Sequence, residues 1–321
     1  MAKLQSIEMV GVANRPATIC SNTMCVWFDT TNLKTVISYC GYSGAGTWST
    51  GGALITGRAT YWGAGTQNAG LVAGGYINAA LSCTEEYNGT SWLVGGALIT
   101  ARYGLAGAGT QNEAFATGGN IGGSVVGCTE EYNGTSWSTG GALIIGRNYF
   151  AGAGTQNAGL LAGGFVAALP GVSCTEEYNG TSWSAGGALI TARCSLAGTG
   201  TQNAGLAAGG YNGANLSCTE EYNGTSWSAG GVLITARYGF PGAGTQNEGL
   251  VVGGLTSVYI SCTEEYNGTS WLVGGALIVA RGYFAGAGTQ GAGLVAGGWT
   301  GVGISCTEEY NKALGIVDSI Q

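Results

Sequence analysis

The stretch YGLAGAGTQNEAFATGG, residues 103–119, runs through a short loop into CTEEYNGTSWSTGG, residues 128–141, and these two pieces decide the fold. YGLAGAG is a segment of small residues that meets the turn residues TQN, and EAFATGG follows and ends in a double glycine. CTEEYN then passes through Asn133-Gly134 into TSWSTGG. Asn-Gly is the strongest two-residue hairpin signal, because a type I′ turn needs positive φ at both central positions. Four short antiparallel strands, A to D, follow from this pattern. By the period of two, Cys128, Glu130 and Tyr132 share one face of strand C.

The unit recurs along the chain. CTEEYN begins at Cys83, Cys128, Cys174, Cys218, Cys262 and Cys306, with steps of 45, 46, 44, 44 and 44 residues. Tryptophan returns at Trp48, Trp92, Trp137, Trp183, Trp227 and Trp271, and each GGALITAR-like stretch closes on an arginine. Four-stranded antiparallel sheets repeated radially describe the blades of a β-propeller. Gly and Ala in strand A suit the crowded centre, while the Tyr and Trp of strands C and D fill the gap where blades diverge.

No Trp follows the last strand C, at Cys306, but a spare strand D, GTWSTGG around Trp48, precedes the first strand A. That strand is expected to complete the blade begun after Arg281, so that the ring has no open edge. The expected fold class is therefore all-β: a six-bladed propeller over residues 48–311 closed by an N-terminal strand. Residues 1–47 lie outside the repeat, and 312–321 read as a tail. MCVWFDTTNLKTVISYC (24–40) reads as an extra hairpin, a cap, or, with KALGIVDSIQ (312–321), a degenerate seventh blade.

Composition narrows the function. The 64 glycines carry no Gly-X-Y period, and nine tryptophans argue against a disordered Gly-rich linker. A net charge of -7 with three lysines gives no basic footprint for nucleic acid, and no apolar run approaches a membrane span. MAKLQSIEMVGVANRP lacks the apolar region of a secretory signal, so folding in a reducing cytoplasm is expected. The chain has no histidine, which removes the commonest general base and the commonest metal ligand; no cofactor and no catalytic residue are expected.

Four repeated features invite a functional reading. Arg58, Arg102, Arg147, Arg193, Arg237 and Arg281 would either ring one channel mouth as an anion site or each pair with a Glu of strand C. The doublets from Glu85-Glu86 to Glu308-Glu309 resemble paired catalytic carboxylates, but six copies of one environment cannot separate two pKa values. The six strand-C cysteines are expected to be free thiols packed between sheets, since ring positions lie too far apart for disulfides. Cys20, Cys25 and Cys40 have a weak spacing for a metal cluster. Asn-Gly-Thr, at Asn88 and four further sites, matches a glycosylation sequon but reads as a turn.

The differences between repeats are more informative. The loops after the double glycine read YINAALS, NIGGSVVG, FVAALPGVS, YNGANLS, LTSVYIS and WTGVGIS, opening on Tyr76, Asn120, Phe165, Tyr211, Leu255 and Trp299. The segments after each arginine also vary and carry Tyr61, Tyr103, Tyr149, Tyr238 and Tyr283. In an antiparallel blade, the B–C loops and the D–A crossings fall on one face, and the nearly invariant TQN and NGT turns on the other. The variable face, rich in aromatics and small polar residues, is the expected ligand surface, suited to sugar or protein.

The order of Arg, small strand, Gly-Gly, Glu-x-Tyr or Glu-Tyr, then Trp over residues 48–311 resembles the kelch repeat. The wording TEEYNGTSW…GGALITAR…GAGTQNAGL is similar to kelch-like repeats of bacteriophage particle proteins, notably those of aquatic phages. The resemblance implies a non-enzymatic tail-fibre, baseplate or surface component of a virion, assembled in the host cytoplasm. Other virion proteins are then the expected partners, with residues 1–47 as the docking element, and a host-surface glycan or protein is the expected ligand. A sugar-binding lectin and an intracellular kelch adaptor are the alternatives. A kelch-type copper oxidase would need histidine ligands, and the sialidase SxDxGxxW box and arginine triad are not present.

Overall fold

A computed structural model describes residues 44–59, 62–166 and 171–313, together with the backbone of strands Ile7–Val10, Met24–Asp29, Lys34–Tyr42 and Leu314–Ile320. The chain divides into two units, Thr47–Asn311 and Met1–Gly46 with Lys312–Gln321.

The larger unit is a six-bladed β-propeller of four-stranded antiparallel sheets. In the first blade, strand A is Gly63–Thr66, B is Ala69–Ala73, C is Thr84–Tyr87 and D is Trp92–Gly95. The same pattern repeats, and the strands A lie side by side around the ring, the last (Ala285–Gly288) beside the first. The sixth sheet is completed from the start of the chain: Thr47–Gly51 pairs with Thr307–Asn311, placing Trp48 opposite Tyr310. The expected closure is therefore found, and the ring has six blades rather than seven.

The blade interfaces explain the repeated residues. Each strand-C tyrosine is buried, and its hydroxyl donates to a glutamate of the preceding blade, as Tyr222 does to Glu177 at 2.5 Å. Each tryptophan also reaches back one blade, as Trp227 Nε1 does to Thr175 Oγ1 at 2.9 Å. The Gln of each TQ turn donates to two backbone carbonyls of the preceding blade, with Gln202 bonding Gly159 and Tyr178 at 3.1 and 2.8 Å. Sheets on their own would be held only by apolar contact. These four bonds per interface fix their rotation, and each net intramolecular bond contributes about 1 kcal/mol. Small residues in strand B make room for this packing: a Cβ on Gly205 would meet Leu160 of the preceding blade at 2.3 Å.

The C–D hairpin differs from the sequence expectation. Strand pairing ends at Tyr87 and Trp92, so the loop has four residues, not two. Gly89 alone takes positive φ, at 89°, and Asn88 uses its side chain instead. Asn88 Oδ1 accepts the Thr90 and Ser91 N–H groups at 3.0 and 2.9 Å, an Asx-type turn that competes well with the type I′ geometry.

In the smaller unit, Met24–Asp29 and Lys34–Tyr42 form an antiparallel hairpin. Ile7–Val10 adds in parallel to its outer strand, and Leu314–Ile320 pairs antiparallel with Lys34–Tyr42 from Val36↔Ile320 to Tyr42↔Leu314. The residues after 313 are therefore a strand of this sheet rather than a tail. Cys20, Cys25 and Cys40 have side chains outside the described residues; among those described, no group of three or more His, Cys, Asp or Glu is placed to hold a metal.

Candidate functional site

The six repeated arginines are fully buried, at 0% exposure, and each is paired with the first glutamate of the strand C in its own blade. Arg58 meets Glu85 at 2.7 Å and Arg193 meets Glu220 at 2.8 Å. The same carboxylate also accepts backbone donors of the GGALIT segment: Glu220 takes the Ile190 and Thr191 N–H groups at 2.7 and 3.1 Å. Burial pulls the Arg147, Arg237 and Arg281 guanidiniums below their ordinary pKa, and the adjacent glutamate opposes the shift. Of the two readings left open by sequence, the ion pair is the one found. No anion ring faces the channel, because the guanidiniums are sealed beneath the crossings.

The second glutamate of each doublet accepts the tyrosine hydroxyl described above: Glu86, Glu131, Glu177, Glu221, Glu265 and Glu309 serve Tyr132, Tyr178, Tyr222, Tyr266, Tyr310 and Tyr87. All twelve repeated carboxylates are thus engaged, six within a blade and six between neighbouring blades. The strand-C cysteines are free but not packed between sheets. Most are half-buried, Cys262 is exposed, and Cys83 and Cys218 lie against the guanidiniums of Arg58 and Arg193. Strand C begins one residue after each cysteine, so the thiol sits at the blade rim and not on the packed face.

The variable segments meet on one face. Backbone bridges join Ala59 to Tyr76, Tyr103 to Asn120, Asn148 to Phe165, Cys194 to Tyr211, Tyr238 to Leu255 and Gly282 to Trp299. In every blade, therefore, the residue after the arginine pairs with the first residue of the B–C loop.

One residue further on, the described residues of five blades form a hydrogen-bonded belt along the channel mouth. Tyr149 N–H donates to Gly104 C=O at 2.8 Å, Ser195 to Tyr149 at 2.6 Å, Gly239 to Ser195 at 2.8 Å and Tyr283 to Gly239 at 2.7 Å. Every residue in this belt has positive φ, including the non-glycines Tyr149 at 55°, Ser195 at 52° and Tyr283 at 56°. A tyrosine in the left-handed region is uncommon and costs about 1–3 kcal/mol, so the surrounding belt holds it there. Each of these tyrosine rings lies over the glycine of the preceding blade: a Cβ on Gly104 or Gly239 would come within 2.6 or 2.5 Å of the ring of Tyr149 or Tyr283.

Above the belt is a cavity of about 290 Å³ lined by Ala59, Tyr76, Tyr103, Tyr149, Tyr259, Tyr283 and Trp299. Tyr76 and Tyr103 lean together at 5.1 Å, and Tyr211, Tyr238 and Tyr283 form a chain at 5.3 and 6.2 Å that runs to the cavity wall. Burial raises the pKa of Tyr259 and Tyr283, and neighbouring phenols add to the effect: Tyr238 acts on both, and Tyr149 and Tyr259 act on Tyr283. Below the belt the central channel, about 140 Å³, is lined by Gly and Ala of the strands A with Trp62, Phe150, Leu196 and Phe240 at its neck.

Of the candidate residues, Tyr76, Tyr103, Tyr149, Tyr283 and Trp299 come together in the cavity, and Tyr211 and Tyr238 stand beside it. Phe165 and Leu255 share the face without lining the cavity, Asn120 is buried with Oδ1 accepting Gly123 N–H at 2.8 Å, and Tyr61 lies outside the described residues. Tyr259 was missed. It lies late in its loop, LTSVYIS, and the only sequence signal was that no other B–C loop has an aromatic at the equivalent place.

Neither the protein-family models nor the curated proteins compared with the chain give a match. The fold and the site therefore define the class by themselves: a six-bladed β-propeller with one uniform turn face and one blade-specific aromatic face.

Proposed function

We propose that the chain is a non-enzymatic recognition protein of a bacteriophage particle, a kelch-like propeller that presents its aromatic face to a host-surface ligand. The observation that carries the reading is the division of labour among residues. The repeated Arg, Glu, Tyr, Trp and Gln are used within each blade and between neighbouring blades to hold the ring together, and the diversity between repeats is concentrated around a preformed aromatic cavity. A propeller fold is compatible with many activities, so the argument rests on the site. Among the described residues the cavity lining contains no carboxylate, thiol or amine, and the repeated glutamates are committed to arginines and tyrosines. General acid–base chemistry would need a titrating group near the working pH, and buried phenols titrate far above it.

The virion assignment is supported by the wording of the repeat. Residues 1–47, which do not follow the repeat, are the proposed docking element to other particle proteins. Mass spectrometry of purified particles tests this directly: the chain should be present at stoichiometric level, and its absence rejects the assignment. A variant lacking residues 1–40 should fold as a ring yet fail to incorporate, and normal incorporation would overturn the docking role.

A further inference from the structure

We infer that the cavity at the channel mouth binds the terminal residue of a neutral saccharide, seated against Trp299 and Tyr76 and hydrogen-bonded by the converging phenols of Tyr149, Tyr259 and Tyr283. The inference rests on the aromatic face being a recognition surface, and it names the ligand chemistry of that surface.

Size is the first argument. At about 290 Å³ the cavity lies at the small end of ligand pockets, which span roughly 300–1,000 Å³, and it has room for about one sugar ring. Chemistry is the second. Half-buried aromatic rings offer flat apolar faces to the C–H faces of a pyranose, and each tyrosine hydroxyl both donates and accepts. Tyr149, Tyr259 and Tyr283 line one cavity, with the Tyr238 ring centroid 6.2 Å from that of Tyr283, and burial raises the pKa of Tyr259 and Tyr283. An array of neutral donor–acceptors matches sugar hydroxyls, whereas a quaternary ammonium has no hydrogen-bonding groups and could use only the ring faces.

Charge is the third argument. Among the described residues no charged side chain lines the cavity, and the chain carries a net charge of -7. A sialylated, sulfated or phosphorylated sugar would find no countercharge there and would be repelled at long range. Preorganisation is the fourth. The left-handed backbone at Tyr149 and Tyr283, fixed by the hydrogen-bonded belt, holds two of the lining rings in place before any ligand arrives. A rigid site loses less conformational entropy on binding, which matters for a ligand as small and well hydrated as a sugar.

The test uses the purified full chain against an array of neutral, sialylated and sulfated glycans, then titration with methyl glycosides of glucose, galactose and N-acetylglucosamine, and with tetramethylammonium. Neutral-terminated glycans should bind, and Trp299→Ala or Tyr76→Ala should weaken binding by about tenfold or more without lowering the unfolding midpoint. Val94→Ala, on the outer strand of the first blade and 77% exposed, should bind as the parent does. Failure of folded protein to bind any neutral glycan overturns the proposal. So does preference for acidic glycans or for tetramethylammonium, and so does saccharide binding that is indifferent to Trp299→Ala. Particles carrying Tyr76, Tyr211 and Trp299 all replaced by Ala separate the two readings. Lost adsorption to cells without any neutral-sugar binding removes the saccharide and keeps the recognition face, whereas unchanged adsorption removes both.

Discussion

At position 149 a tyrosine occupies backbone with φ of 55°, where its ring covers Gly104 and its N–H bonds the Gly104 carbonyl. Gly104 and Gly239 take the same left-handed conformation in two other blades without strain. Tyrosine at 149 and 283 is therefore costly for the backbone and is retained in the fold by the belt and the ring contact. The usual substitution order should reverse here: Tyr149→Gly should be more stable than Tyr149→Ala by about 1 kcal/mol, measured by chemical denaturation, because alanine keeps the strain and loses the ring. An alanine variant at least as stable as the glycine variant would show that the belt does not impose the left-handed geometry. The sequence revealed tyrosines at variable positions. It did not reveal the strain, since φ at a crossing is set by the neighbouring blade.

At the scale of the strand, Thr47–Gly51 does what the sequence required of it, yet its seam is unlike the other C–D pairs. It joins residues far apart in the chain by noncovalent contact alone, with the Trp48 ring tilted against Tyr310 at 4.8 Å and its Nε1 bonded to Thr263 Oγ1 at 3.0 Å. Trp137 makes the equivalent contacts, 4.8 Å to Tyr132 and 3.0 Å to Thr84 Oγ1, within a continuous hairpin. Truncating either buried indole to alanine should cost about 3–5 kcal/mol globally. Only Trp48→Ala should also open its blade locally, seen as faster amide hydrogen exchange across 292–311 than elsewhere in the ring. Equal local protection in the two variants would mean that the seam is no weaker than a covalent hairpin. The four-residue C–D loop was misread as a two-residue turn, because Asn88 satisfies the loop donors with its side chain, an option the Asn-Gly dipeptide alone does not exclude.

At the scale of the whole ring, the tyrosine–glutamate bonds couple stability to alkaline pH. Burial, with the glutamate hydrogen bond second, lifts Tyr87, Tyr132, Tyr178, Tyr222 and Tyr266 to about 12. In the unfolded chain a tyrosine titrates near pH ~10, so the folded state holds these protons more tightly. The associated stability is complete below about pH 10 and is lost as pH rises toward 12. Urea midpoints should stay level up to about pH 9.5 and then fall, and Tyr222→Phe should flatten the fall by removing one titrating site. A midpoint that falls equally steeply in the phenylalanine variant would exclude the interface phenols as the cause.

The period, the strand order, the number of blades and the closing strand were all legible in the sequence, because each depends on local patterning repeated in register and on which strand is left over at each end. The arginines illustrate the boundary. Spacing put Arg193 and Glu220 in one blade and left both the ion pair and the anion ring open, and the observed pairing with complete burial of the guanidinium chose between them. The cavity likewise needed the tertiary structure. Tyr76, Tyr103, Tyr149, Tyr259, Tyr283 and Trp299 come from five of the six blades, and the closure of the ring is what brings them to one mouth. Tyr259 in particular has no periodic mark, because lining a mouth shared by several blades depends on the closure of the ring and not on a place in the repeat.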